Sequence, residues 1–152
     1  MIAVAAALAL ASSAFAPGGT IPLRYTCGHE GVSPPLRWTH VPRQSRGFAL
    51  SVIDPDAPSG RFTHWLVWGI SARARSLPAG SRLGVQGRND AGGTGYTGPC
   101  PPPGDPPHRY VFALYALRRP LPLRAGATLE QFTRGLRGRV VATARLVGRF
   151  GR

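Results

Sequence analysis

A mainly β fold, an antiparallel sandwich with one or two short helices, is what this sequence predicts. Three observations carry that prediction: apolar runs of strand length bounded by turn residues, 20 glycines and 16 prolines to make the turns, and a single stretch with apolar residues at helical spacing. Loops rather than helices join the runs, which favours antiparallel pairing. At 152 residues the chain has the length of one domain, 1–152, built on one substantial core.

Met1 to Ala16 opens with an apolar run, Ile2 to Ala11, and closes on Ala14-Phe15-Ala16, a partial likeness to a secretory leader. No positive charge precedes the run, and Pro17 follows the cleavage point that such a leader would need. The run is too short to span a bilayer, so no stable membrane insertion is expected. We read it as a first strand with Gly18-Gly19 as its turn, in a cytoplasmic protein; a secreted or periplasmic location requires residues 1–16 to act as a signal. Ile21, Leu23 and Tyr25 alternate with Pro22 and Arg24, predicting an edge strand over Thr20 to Thr26. Cys27 to Pro35 reads as loop, and Trp38 as an aromatic anchor.

Phe48 to Ile53, apolar apart from Ser51, fits a central strand, and Trp65 to Ile70 its neighbour. Asp54 to His64 is then a crossover loop at one end of the sheet. Pro78, Gly80, Gly84 and Gly87 break any period in Arg73 to Asn89, which reads as a surface excursion. Asn89 to Gly98 is glycine-dense, and Pro99 to Tyr110 is a loop shaped by prolines. Tyr110 to Leu117 is again a core strand. Thr128 to Gln131 forms a capping-box pattern, and Leu129, Phe132 and Leu136 predict a short helix ending near Gly138. Alternation from Val140 to Val147 predicts a closing strand.

The net charge of +13 comes from nineteen arginines and no lysine, against six acidic residues. Clustered cations attract polyanions through counterion release. Here the arginines are scattered singly from Arg24 to Arg152 with one adjacent pair, Arg118-Arg119, so no nucleic-acid partner is expected. The two cysteines, Cys27 and Cys100, permit one disulfide and exclude a cysteine-only metal site. A bond between them and two free thiols both remain open.

Asp54-Pro-Asp56 places two carboxylates two positions apart, and His64 follows. Proline between them pushes Asp54 towards extended geometry and restricts how freely both acids reach solvent. A carboxylate near an imidazole selects its tautomer and favours its protonated form; His64 is the expected partner of Asp54. His108 offers a second imidazole beside Tyr110, and Gly98 can bring backbone N–H groups close to a ligand. Together these groups suit a phosphate or carboxylate. On the plainer reading Asp-Pro-Asp is a turn and each histidine a structural residue. A facial triad of His64, His108 and a carboxylate is a third reading, but it lacks the close helical spacing of many hydrolytic sites, so neither a metal nor another cofactor is expected.

Asp54-Pro-Asp-Ala-Pro, His64-Trp65, Gly95-Tyr-Thr-Gly-Pro-Cys-Pro-Pro102 and His108-Arg-Tyr110 together resemble the phosphatidylethanolamine-binding protein family, in its bacterial Raf-kinase-inhibitor-like branch. Ile21-Pro22, Val32-Ser-Pro-Pro-Leu36 and Leu146-Val-Gly148 fit the same branch in order, so the resemblance covers nearly the whole chain. It implies a Greek-key-type β-sandwich with a small anion-binding cavity at one end. The cavity would be lined by Asp54, Asp56, His64, Gly98, Pro99, His108 and Tyr110, with no catalytic residue. The expected function is non-catalytic binding of a small phosphate-bearing ligand or phospholipid head group, with Asp54 orienting His64 while His108, Tyr110 and backbone at Gly98 meet the ligand. The chain stops soon after Phe150, without the C-terminal helix of animal members, so inhibition of a Raf-like kinase is not inherited. The alternatives are an inhibitor of a protein kinase or serine protease acting through surface loops between Arg73 and Arg88, and, less favoured, a hydrolase using the Asp-His pair. Homodimerisation is left open.

Overall fold

A computed structural model describes residues 1–152. The main sheet has five strands in the order β6-β4-β3-β7-β8: β3 Gly47–Asp54, β4 Phe62–Ser71, β6 Val85–Gln86, β7 His108–Leu117 and β8 Val140–Phe150. A second sheet, of three strands, runs β1-β2-β5, with β1 Ala9–Ala11, β2 Leu36–Thr39 and β5 Ser76–Leu77. Every ladder between named strands is antiparallel. The mainly β prediction, with one short α-helix, is what the chain adopts.

The main sheet is a middle layer, which explains why β3 is buried at every position except Ile53. One face carries Phe48, Leu50, Val52, Trp65, Tyr110 and Phe112 against Leu10, Leu36, Trp38 and Leu77 of the smaller sheet. On the other face Ala49, Leu66, Trp68 and Leu117 pack with Phe132 of the single α-helix, α1 (Leu129–Leu136). The capping box closes α1 as expected: Gln131 N–H donates to Thr128 Oγ1, and the Gln131 side chain accepts from Thr128 N–H.

Four expectations need correction. Thr20 to Thr26 is not a strand: Thr20 makes one isolated parallel bridge with Arg149, and Leu23–Tyr25 is a 3-10 turn closed by Tyr25 N–H to Pro22 O at 3.0 Å. Thr26 Oγ1 also donates to Leu23 O, so a side chain competes for the carbonyl a ladder would use. The segment from Asp54 to His64 is shorter than a crossover loop, because β4 begins at Phe62, directly paired with Asp54. Residues 55–61 therefore make a hairpin connection, and His64 lies on a strand. Arg73 to Asn89 contains β5 and β6 as well as loop. The first strand is confined to Ala9–Ala11, with Met1 to Ala7 exposed.

Cys27 and Cys100 form a disulfide, with Cα atoms 5.4 Å apart. No helix is long and apolar enough to cross a membrane.

Candidate functional site

At the end of the main sheet where β3 finishes and β4 and β7 begin lies a cavity of about 450 Å³. Asp54, His64, His108 and Tyr110 line it from the strands. Thr97, Gly98 and Cys100 to Pro102 close one side together with Cys27, and the hairpin residues Ala57 and Pro58 close another.

Asp54 is 3% exposed and uses both carboxylate oxygens. Oδ1 accepts from Asp56 N–H at 2.7 Å, which makes Asp-Pro-Asp the turn that the plainer reading described. Oδ2 accepts from His108 Nδ1 at 2.7 Å. The orienting partner of Asp54 is thus His108 rather than His64. The reason is register: Ile53 pairs with Val111 across β3 and β7, which sets the end of β3 beside the start of β7.

His108 Nε2 donates to Asp105 Oδ2 at 3.0 Å. With a carboxylate on each nitrogen, both must carry protons, so the ring is an imidazolium. Burial opposes that charge, but the hydrogen bonds to Asp54 and Asp105 outweigh it and raise the pKa above the ordinary histidine value. Neither nitrogen of His108 is left to bond a ligand.

His64 is placed by a β-bulge. Val52 pairs with Trp65 but Ile53 pairs with Thr63, which leaves His64 as the extra residue and lets two successive side chains serve the same side of the sheet. Its Nδ1 donates to Thr97 O at 2.7 Å, and Thr97 N–H returns a bond to His64 O at 2.9 Å. Burial lowers its pKa, more than the Thr97 carbonyl and nearby aspartates raise it. The ring is therefore neutral, with the proton on Nδ1 and an open acceptor at Nε2. Phe62 lies 4.7 Å from it, and Tyr110 meets it edge-on at 5.2 Å, centroid to centroid.

Tyr110 is fully buried and its hydroxyl has no hydrogen-bond partner in the protein. Burial, reinforced by the charges of Asp54 and Asp56, pushes its pKa upward, so it is a phenol and a donor. Gly98 lines the cavity, and its N–H has no acceptor in the protein. A Cβ here would fall 2.8 Å from Tyr25 O, so glycine is required by the packing of this loop on the Tyr25-Thr26 backbone rather than by a ligand's approach.

Asp56 and Pro99 do not line the cavity. Asp56 is clasped by Arg109, which donates from its backbone N–H at 2.9 Å, from Nε at 3.0 Å and from Nη2 at 2.8 Å. Those bonds hold the Asp56 carboxyl down at about 2. Pro99 is buried, and its carbonyl accepts from Cys27 N–H at 3.0 Å. Sequence reasoning missed Asp105, Thr97 and Phe62. Asp105, three residues before His108, carried a signal in that spacing; Thr97 acts through its carbonyl and carried none.

Of six carboxylates in the chain, Asp54, Asp56, Asp90 and Asp105 all belong to this end, Asp90 capping Thr63 N–H at 2.7 Å. His108 and Arg109 offset two of these four negative charges, and the groups on the cavity wall left without a partner in the protein are Tyr110 O–H, Gly98 N–H and His64 Nε2. No group of three or more His, Cys, Asp or Glu side chains is arranged to hold a metal ion.

A two-sheet β protein with a cavity at one sheet end, lined by two histidines, an aspartate and a tyrosine, is the class that fold and site define. Residues 11–151 match the family model described as phosphatidylethanolamine-binding protein, and the chain belongs to that family. It is 45% identical over 150 residues to a UPF0098 protein of Methanothermobacter thermautotrophicus, covering 94% of this chain and 98% of that one. A UPF0098 protein of Chlamydia muridarum is 42% identical over 147 residues, covering 93% and 97%. Among solved structures, the phosphatidylethanolamine-binding protein homologue CT736 of Chlamydia trachomatis superposes with a TM-score of 0.91 at 41% identity, over 96% of this chain and 98% of that one. YbcL of E. coli, described as a member of the mammalian family, gives 0.90 at 32% identity, over 97% and 99%.

Proposed function

We propose that the cavity binds, without catalysis, the phosphate group of a small ligand such as a phospholipid head group. The observation that carries this reading is the Tyr110 hydroxyl, a buried donor with no acceptor. An unmet buried donor costs about 1–3 kcal/mol, so it is sustained where a ligand completes it. A singly protonated phosphate or phosphate monoester such as phosphoethanolamine matches the set: its oxygens accept from Tyr110 O–H and Gly98 N–H, and its own P–O–H donates to His64 Nε2, whereas the diester of an intact phospholipid engages the two donors alone. The His108 imidazolium in the same wall offsets part of the negative charge of Asp54 and Asp105, which an anion would otherwise meet.

Two observations favour binding over hydrolysis. No Asp-His pair with a free base is present, because both nitrogens of His108 are bonded and His64, whose Nε2 is open, is held by the Thr97 carbonyl rather than a carboxylate; and Cys100 is committed to its disulfide. Calorimetric titration with inorganic phosphate and with phosphoethanolamine tests the reading. Saturable binding is expected, weakened about tenfold or more in Tyr110→Phe by loss of one bond to a charged group. Equal affinity in parent and variant would overturn it.

A further inference from the structure

A second cavity, of about 500 Å³, is lined by Thr20, Asp105, Arg149, Gly151 and Arg152 among others. The two share a wall at two points. Asp105 faces the outer cavity while its Oδ2 accepts from His108, which lines the inner one. Arg152 faces the outer cavity while its Nε donates at 2.7 Å to the carbonyl of Pro101, which lines the inner one.

The outer cavity is supplied with donors that the protein leaves unused. Neither Arg149 nor Arg152 is in an ion pair; the arginines so engaged are Arg24, Arg109 and Arg134. Only Nε of Arg152 is bonded, which leaves its terminal nitrogens free. The backbone N–H groups of Thr20 and Gly151 have no acceptor in the protein. The one side-chain carboxylate present, Asp105, is directed at the His108 ring at 3.0 Å. Two guanidinium groups and unpaired amides around a concave surface match the oxygens of a tetrahedral anion.

We propose that the outer cavity is a second phosphate site, held by Arg149 and Arg152 and coupled to the inner cavity through the Asp105-His108-Asp54 chain. The site itself goes beyond the function assigned to the inner cavity; only the coupling rests on that assignment. A negative charge on each side of one wall repels the other, so filling either cavity weakens the other by the same factor.

Titration of the ¹⁵N-labelled protein with inorganic phosphate at constant ionic strength tests this by NMR. Two saturable sets of amide shifts are expected, at Thr20 and Gly151 for the outer site and at Gly98 for the inner. Arg149→Gln combined with Arg152→Gln should abolish the first set and tighten the second; Tyr110→Phe should shift the second set to about tenfold higher phosphate and tighten the first. A parallel titration with phosphoethanolamine identifies whether the free anion or its ester saturates the outer set at lower concentration. Shifts at Gly98 alone would overturn the second site while leaving the inner one intact. Outer shifts that fail to saturate, or that persist in the double variant, would mean an adventitious ion only and overturn it equally.

Discussion

Asp54 and His108, 54 residues apart in sequence, join through a 2.7 Å hydrogen bond between side chains that are each only 5% exposed. Breaking a buried charge pair from one side leaves the other charge without compensation, at a cost of about 3–5 kcal/mol. Asp54→Asn is expected to lose stability on that scale in urea unfolding at neutral pH. Its amide oxygen can still accept from Asp56 N–H, so the turn survives, and the loss reports the charge together with the hydrogen bond to His108, towards which the amide NH2 group now points. The His108 pKa, followed by NMR, should fall in the variant; an unchanged value would break the link between the two residues.

Tyr110→Phe should separate stability from binding. Removing an unmet buried hydroxyl spares its desolvation cost, so the variant should be as stable as the parent or more so, by up to about 1–3 kcal/mol. Phosphate affinity should fall at the same time. A melting temperature that drops together with affinity would mean that Tyr110 is paired inside the protein after all.

The two cavity histidines should tilt the stability profile in opposite directions. The His108 pKa is raised, so its contribution is complete below the unfolded value of about 6.5 and is lost as pH rises through the folded value. The His64 pKa is lowered by burial, so its cost appears as pH falls below about 6.5 and levels off beneath the folded value. Relative to the parent, His108→Gln should flatten the alkaline limb of the urea midpoint and His64→Gln the acid limb. The reverse assignment would contradict the protonation states argued above.

Opening the disulfide should cost stability more than function. It closes a loop between residues 73 apart, a constraint worth about 4 kcal/mol in the unfolded chain. The same two segments are also held by Tyr96 O–H to Tyr25 O at 2.8 Å and Cys27 N–H to Pro99 O at 3.0 Å. Cys27→Ala with Cys100→Ala should therefore unfold at much lower urea, yet bind phosphate within about tenfold of the parent. A far larger loss of affinity would show that the sulfur bridge itself shapes the cavity.

Segments whose neighbours dictate them could be read directly. Phe48 to Ile53 and Tyr110 to Leu117 are apolar on both faces because helix and small sheet cover them, and Thr128 with Gln131 marks a helix start chemically. What stayed hidden depends on distant register. His64 is ten positions from Asp54 and looked like its partner, but the β3-β7 ladder brings His108 instead, and the bulge turns His64 to Thr97. Ile21 and Tyr25 suit an alternating strand and a single helical turn equally well, and Pro22 with Thr26 decides for the turn. For Asp54, the turn reading and the functional reading each describe one oxygen of the same carboxylate.

Helix α1 lies on the sheet face away from the small sheet, and none of its residues lines either cavity. That separation makes it a handle. Thr133 is exposed there, and the protein's own cysteines are both committed to each other, so Thr133→Cys would give one reactive thiol per molecule. A dye or surface tether attached at that point would hold the protein by its back and leave both mouths open to whatever is offered.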